Sequence, residues 1–129
     1  MKAALINAVV IGSGGFLGAL ARYGLRGLVQ RQVPMDTFPS GTLAVNLLGC
    51  LMIGATAGLV ESRQLLSPES RVFVLVGLLG GFTTFSTFAY ETFALIRQDE
   101  YVRAGANVGL HLILGIVLVW VGYAVTASR

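Results

Sequence analysis

The chain has 129 residues, of which 55% are hydrophobic and only 12% charged, and its mean hydropathy is +0.79. A soluble domain draws about a quarter of its residues from Asp, Glu, Lys and Arg, so this composition excludes a free-standing soluble enzyme, a disordered chain and a nucleic-acid-binding arm. The net charge of +3 comes from nine Lys and Arg scattered singly, which gives no basic patch for nucleic acid, and the lone Cys50 excludes a disulfide framework or a Cys-rich metal site.

A membrane-spanning helix needs about 20 mostly apolar residues, and four charge-free stretches reach that length: 3–21, 42–60, 72–90 and 104–128. The first follows Lys2 and ends at Ala19-Leu20-Ala21, a pattern shared with cleavable signal peptides. Its length and its Gly12, Gly14, Gly15 and Gly18 fit a packed span better. Pro34, Asp36, Pro39 and Gly41 then break the chain before the second span. That span carries Thr42 and Asn46 one turn apart and therefore on one face. Ser67-Pro68-Glu69 reads as an N-cap, a first-turn proline and a first-turn acid, so the third helix starts there. Asp99 and Glu100 are candidates to open the fourth helix in the same way. The fourth span bears Asn107 and His111 at i and i+4, a polar stripe that Gly115 extends. Small-xxx-small pairs at Gly14/Gly18, Gly54/Gly58 and Gly105/Gly109 predict close helix packing.

The densest chemical signal is the run Gly80-Gly81-Phe82-Thr83-Thr84-Phe85-Ser86-Thr87-Phe88 in the third span. Each glycine weakens a helix by about 1 kcal/mol relative to alanine, so the doublet predicts a helix broken mid-membrane. Such a break is tolerated only where protein or water covers the freed backbone, and its carbonyls can hold a small cation. The hydroxyls of Thr83, Thr84, Ser86 and Thr87 can donate to an anion or bond back to the helix. Phe85 and Phe88 share one face at i and i+3, and the positive edge of a phenyl ring suits a weakly held anion, although core packing is the ordinary use of such a pair. For Asn46 the ordinary reading is an interhelical fastener and the functional one an amide donor to an anion. Glu91 reads as a solvated helix end.

The loops divide nine cations almost evenly. With four spans, Lys2, Arg63, Arg71 and Arg129 fall on one side, and Arg22, Arg26, Arg31, Arg97 and Arg103 on the other. Lys/Arg bias sets orientation, so a chain with none can insert both ways and pair with an inverted copy.

Gly18-Ala19-Leu20-Ala21-Arg22-Tyr23, Gly41-Thr42-Leu43-Ala44-Val45-Asn46-Leu47-Leu48-Gly49, and the segment from Gly77 to Phe88 together resemble the Fluc (CrcB-type) family of fluoride channels. The resemblance covers nearly the whole chain, including size and four-span layout. It implies an all-α, antiparallel dual-topology homodimer in the bacterial plasma membrane, with two pores each lined by both subunits. It also implies passive, selective export of fluoride that has entered cells as neutral hydrogen fluoride. By resemblance, Phe85 and Phe88 line the ion path edge-on, Asn46 donates to fluoride, and Ser86 and Thr87 continue a polar track. Arg22 sits in a vestibule that draws anions, and the carbonyls of Gly80 and Thr83 hold a structural sodium at the dimer centre. Where relatives can carry tyrosine and serine on the fourth helix, this chain has Asn107, His111 and Gly115, so no role is carried over to those positions.

Two other classes compete. A small proton-coupled multidrug exporter can share four spans and dual topology, but it needs a membrane-embedded acid, and the four charge-free stretches hold none. A non-transporting assembly subunit explains the glycines but not the hydroxyl-rich third span. An enzyme is disfavoured because no nucleophile–base pair or metal cluster is visible in the sequence.

Overall fold

The computed structural model describes residues 2–34, 37–63 and 66–127, which form helices and connecting turns without a strand among them. Asp36, Ser128 and Arg129, used in the loop, span and charge readings above, lie outside the described residues. Helix α1 runs Lys2–Gln30, α2 Ser40–Arg63, α3 residues 68–82, α4 Phe85–Arg97 and α5 Tyr101–Ala127. Four segments are long and apolar enough to cross a membrane: Ala4–Gln30, Ser40–Ser62, Pro68–Arg97 and Tyr101–Ala127. The third combines α3 with α4, and the chain is an all-helical, multi-pass membrane protein.

The helices run past the charge-free stretches into their polar flanks. Helix α1 has 29 residues, about 43 Å at the α-helical rise against a hydrocarbon core of about 30 Å. Its last turns carry Arg22 and Arg26 on the helix rather than in a loop. Gln30 then secures the turn: its Nε2 donates to the carbonyls of Val33 (2.6 Å) and Phe38 (3.4 Å), and its Oε1 accepts from the Gly41 N–H at 3.2 Å.

Helix α3 starts as its sequence predicts. Ser67 is extended (φ −61°, ψ 159°), its hydroxyl accepts from the Ser70 N–H, and Pro68 fills the first turn. Asp99 does not open α5, however. It adopts φ 59° and closes α4, with the Asp99 N–H on the Ile96 carbonyl (3.1 Å) and the Glu100 N–H on the Leu95 carbonyl (2.9 Å). This is the left-handed C-terminal closure usually given to glycine, which aspartate tolerates because its short polar side chain bonds locally. Here that side chain accepts from the Tyr101 hydroxyl at 3.0 Å.

Glycines set the helix spacing. A Cβ on Gly14 would lie 2.8 Å from the Phe73 carbonyl oxygen, and one on Gly18 would run into the Leu78 carbonyl. Helix α1 thus rests directly on the α3 backbone, where Val72–Leu79 widens into i→i+5 hydrogen bonding. Gly54 and Gly58 press likewise on Val119 and Tyr123 of α5, and Gly122 presses back on Leu51. Gly105 and Gly109 differ: nothing in the described chain comes within 4 Å of a Cβ built there. That third pair packs on no described helix of the same chain.

The chain buries few large side chains, among them Val45, Leu79, Phe82, Phe88 and Leu95, while Leu5, Tyr23, Phe85, Val102 and Trp120 stand out from it. Water would penalise that surface at roughly 25 cal/mol per Å²; acyl chains do not.

Candidate anion site

The helix interruption falls at Thr83 and Thr84, one turn later than the glycine doublet. Gly80 is helical (φ −63°, ψ −39°), whereas Thr83 (φ −84°, ψ 158°) and Thr84 (φ −151°, ψ 114°) are extended. Gly81 has another use. A Cβ there would sit 2.6 Å from the Gly15 carbonyl oxygen, so the residue permits contact with α1. Threonine hydroxyls compete with the helical ladder and favour caps, and both threonines act that way. Thr83 Oγ1 donates to the Leu79 carbonyl at 3.0 Å, while Thr84 caps α4 by accepting from the Thr87 N–H at 3.3 Å.

Asn46 holds this interruption from α2. Its Oδ1 accepts from the Thr84 N–H at 2.8 Å and its Nδ2 donates to the Thr84 carbonyl at 3.0 Å. One side-chain amide therefore satisfies both polar groups of one extended residue, as a neighbouring strand would. In an unbroken helix the Thr84 N–H would go to the Gly80 carbonyl; its diversion releases that oxygen. Asn46 is thus a fastener, and its second amide N–H is still available to donate.

Around the interruption the predicted residues fall into two groups. A cavity of about 340 Å³ has Asn46, Gly80, Thr83, Thr84, Phe85, Phe88 and His111 among its lining residues. Within it the Phe85 and Phe88 ring centroids are 5.5 Å apart with planes at 57°, and Phe88 lies 4.3 Å from the His111 ring at 40°. Phe88 is buried and Phe85 is 77% exposed, so this side of the site is open within one chain. A second cavity of about 440 Å³ is lined by Arg22, Arg26, Thr42, Thr84, Ser86 and Thr87. Thr84 belongs to both. Its hydroxyl bonds those of Thr87 (3.0 Å) and Ser86 (3.3 Å), so three hydroxyls form one connected patch.

The fourth-span stripe joins the first group. Asn107 is fully buried, and its Nδ2 donates to Thr92 Oγ1 at 2.9 Å, which donates to the Phe88 carbonyl at 2.8 Å. His111 Nδ1 lies 2.9 Å from the Asn107 carbonyl. A carbonyl can only accept, so Nδ1 carries the proton of the neutral ring and Nε2 presents a lone pair. That Nε2 is buried without a partner among the described residues. Gly115 carries no polar group, and a Cβ there would meet the Cys50 thiol at 3.4 Å.

Glu91 corrects the expectation of a solvated helix end. It is 6% exposed, and its Oε1 accepts from Arg26 Nη2 at 2.9 Å and from Thr42 Oγ1 at 2.8 Å. The rule that assigned it to solvent was the end of the charge-free stretch, but α4 continues through it to Arg97. A buried acid does therefore exist in the third membrane segment, and its absence no longer argues against an exporter. Arg26 and Thr92 carried no functional signal in the sequence; the i, i+4 relation of Arg26 to Arg22 and of Thr92 to Phe88 was the available clue.

A family profile described as CrcB-like protein, Camphor Resistance (CrcB) matches residues 9–123. A protein of Nitratidesulfovibrio vulgaris strain Miyazaki F named fluoride-specific ion channel FluC is 47% identical over 114 residues, which is 88% of this chain and 91% of that protein. Proteins of the same name from Methylobacillus flagellatus (40% over 119 residues; 92% and 93% of the two chains) and Opitutus terrae (46% over 115 residues; 88% and 86%) are similar along the same length. With both the family profile and relatives of this identity spanning nearly all of it, the chain belongs to the CrcB family.

Proposed function

We propose that this chain is the subunit of a fluoride channel that lets fluoride leave the cytoplasm passively across the plasma membrane. The observation that carries the reading is the convergence, at one interrupted helix, of the Phe85–Phe88 ring pair, the Asn46 amide and the Thr84–Ser86–Thr87 hydroxyls, in a chain 47% identical to a protein named for that activity. Each group offers fluoride a donor or a positive ring edge, and none is a fixed charge that would trap it. Arg22 opens on the hydroxyl patch and raises the local concentration of anions. Asn107 and His111 hold Phe88 in place from α5 rather than contacting the anion first.

The working unit is an antiparallel homodimer with a pore on each side. Supporting it are the nearly even loop charge, the 77% exposure of Phe85 at the edge of its cavity and the unpacked Gly105/Gly109 pair. The interruption lies mid-membrane, where water or a second chain covers it. A sodium ion would be held by the Gly80 carbonyl that the interruption releases and by the Thr83 carbonyl, together with the same groups of the inverted copy. The ion would neutralise and fasten backbone oxygens at the centre of the dimer.

The test is efflux from liposomes. Purified protein should release fluoride down its gradient with little chloride, and Phe88→Ile should cut fluoride release at least about tenfold, the scale of losing an oriented group that stabilises a desolvated ion. Equal fluoride and chloride fluxes would sink the reading; unchanged flux in Phe88→Ile would return the ring to core packing. For topology, one lysine added near the N-terminus should bias insertion and lower the yield of active dimers. Full activity would contradict an inverted pair.

A further inference from the structure

Three helices meet at one carboxylate. Arg26 reaches it from α1, Thr42 from the first turn of α2, and Glu91 presents it from α4. The meeting is prepared by Gly41: a Cβ there would sit 2.8 Å from the Arg26 Cγ and 2.8 Å from the Arg26 carbonyl oxygen, so only glycine lets the arginine stem lie across the start of α2. Both donors bind the same oxygen, Oε1, and Oε2 is buried with no partner among the described residues. Among those residues the negative charge is therefore balanced in contact by Arg26 alone.

Its position gives that balance a consequence. Thr87 and Glu91 are four residues apart on α4 and lie on one face, so the hydroxyl patch formed by Thr84, Ser86 and Thr87 leads toward the carboxylate. Arg26 and Thr42, its two donors, line the same cavity as that patch. An anion crossing the hydroxyls approaches a buried negative charge, and repulsion in such a setting is screened far less than in water.

We propose that Arg26 is a charge-balancing and positioning residue for anion passage: by pairing with Glu91 it cancels the negative charge beside the hydroxyl track and leaves Arg22 as the net attraction for the ion. The proposal rests on the fluoride-channel reading. Arg26 itself contacts no ion. It acts through Glu91, and Thr42 fixes the carboxylate that it neutralises.

The experiment measures initial fluoride efflux from liposomes against fluoride concentration for wild type, R26Q, E91Q and the R26Q/E91Q double variant, with dimer content read by size exclusion. R26Q leaves the carboxylate uncompensated and should lower flux about tenfold at low fluoride, the lower end of what a local field does to ion concentration, while raising the concentration that gives half-maximal rate. The double variant removes both charges and should recover most of the lost flux. A merely structural tie would lower the amount of active dimer in R26Q and regain it in the double variant, without moving the half-maximal concentration in either. R26Q with wild-type kinetics, or a double variant no better than R26Q, overturns the proposal. If R26Q alone fails to assemble, E91Q against the double variant still decides: the unpaired Arg26 charge in E91Q should lower the half-maximal fluoride concentration relative to the double variant, and equal values overturn the proposal. A wild type that releases no fluoride overturns the channel reading itself.

Discussion

Replacing Asn46 with leucine should abolish fluoride efflux and also lower the thermal stability of the purified protein by several degrees. Two effects arise from one amide. The first is loss of the clasp on Thr84, whose N–H and C=O are held at 2.8 and 3.0 Å and have no helical partner to return to without rebuilding α3 into α4. Each buried backbone group left unsatisfied costs about 1–3 kcal/mol, and more where lipid excludes water. The second is loss of the remaining amide N–H of a residue that lines the same cavity as Phe85 and Phe88. Stability separates the two jobs. A group that only donated to the passing ion would, when removed, cut flux and leave melting unchanged. Asn46→Asp sharpens the distinction: it keeps an acceptor for the Thr84 N–H but sets a carboxylate against the Thr84 carbonyl, so it should be inactive as well. An Asn46→Leu protein with wild-type melting and flux would show that α3 and α4 do not depend on the clasp.

The same residue shows how far the sequence could be read. Its spacing from Thr42 placed both on one face, and both do reach α4 from α2, to Thr84 and Glu91 respectively. The partners were not legible, because they lie 38 and 49 residues away and depend on how the helices pack. The interrupted stretch was legible as a region through its glycines and hydroxyls, but not to the residue. Propensity points to Gly80 and Gly81, yet both remain helical, Gly81 against the Gly15 backbone of α1. The interruption falls on two threonines whose hydroxyls bond neighbouring backbone groups while Asn46 takes up the Thr84 N–H and C=O. Glu91 was misplaced for a related reason. Apolar runs mark where lipid requires hydrocarbon; helices end where caps and closures are available, here beyond Glu91 at Asp99. His111 and Asn107 were visible as a stripe, but their direction toward Phe88 and Thr92 needed the fold.

Gly18→Val should prevent the protein from reaching its folded, fluoride-conducting form, whereas Gly12→Ala on the same helix should be nearly silent. At Gly18 a Cβ would run into the Leu78 carbonyl and would stand 2.8 Å from the Phe82 nitrogen and 3.1 Å from the Gly81 carbonyl carbon. All three are backbone atoms of α3, so no side chain can swing aside and the helices must separate. Overpacking a tight site costs about 1–3 kcal/mol even where side chains can yield. At Gly12 nothing lies within 4 Å, and alanine is favoured over glycine in a helix by about 1 kcal/mol. The functional weight of Gly18 comes from the arginines that share its face of α1. Gly14, Gly18, Arg22 and Arg26 recur every fourth residue and form one stripe along the helix. The two glycines bring α1 onto the α3 backbone, and that approach carries Arg22 to the hydroxyl cavity and Arg26 to Glu91. A shift of the helix by even the radius of a methyl group would pull both arginines off their targets together. Folded yield, melting and fluoride efflux should therefore fall in concert for Gly18→Val. A Gly18→Val protein that folds and conducts like wild type would mean that α1 does not lie on α3, and the placement of both arginines would fall with it.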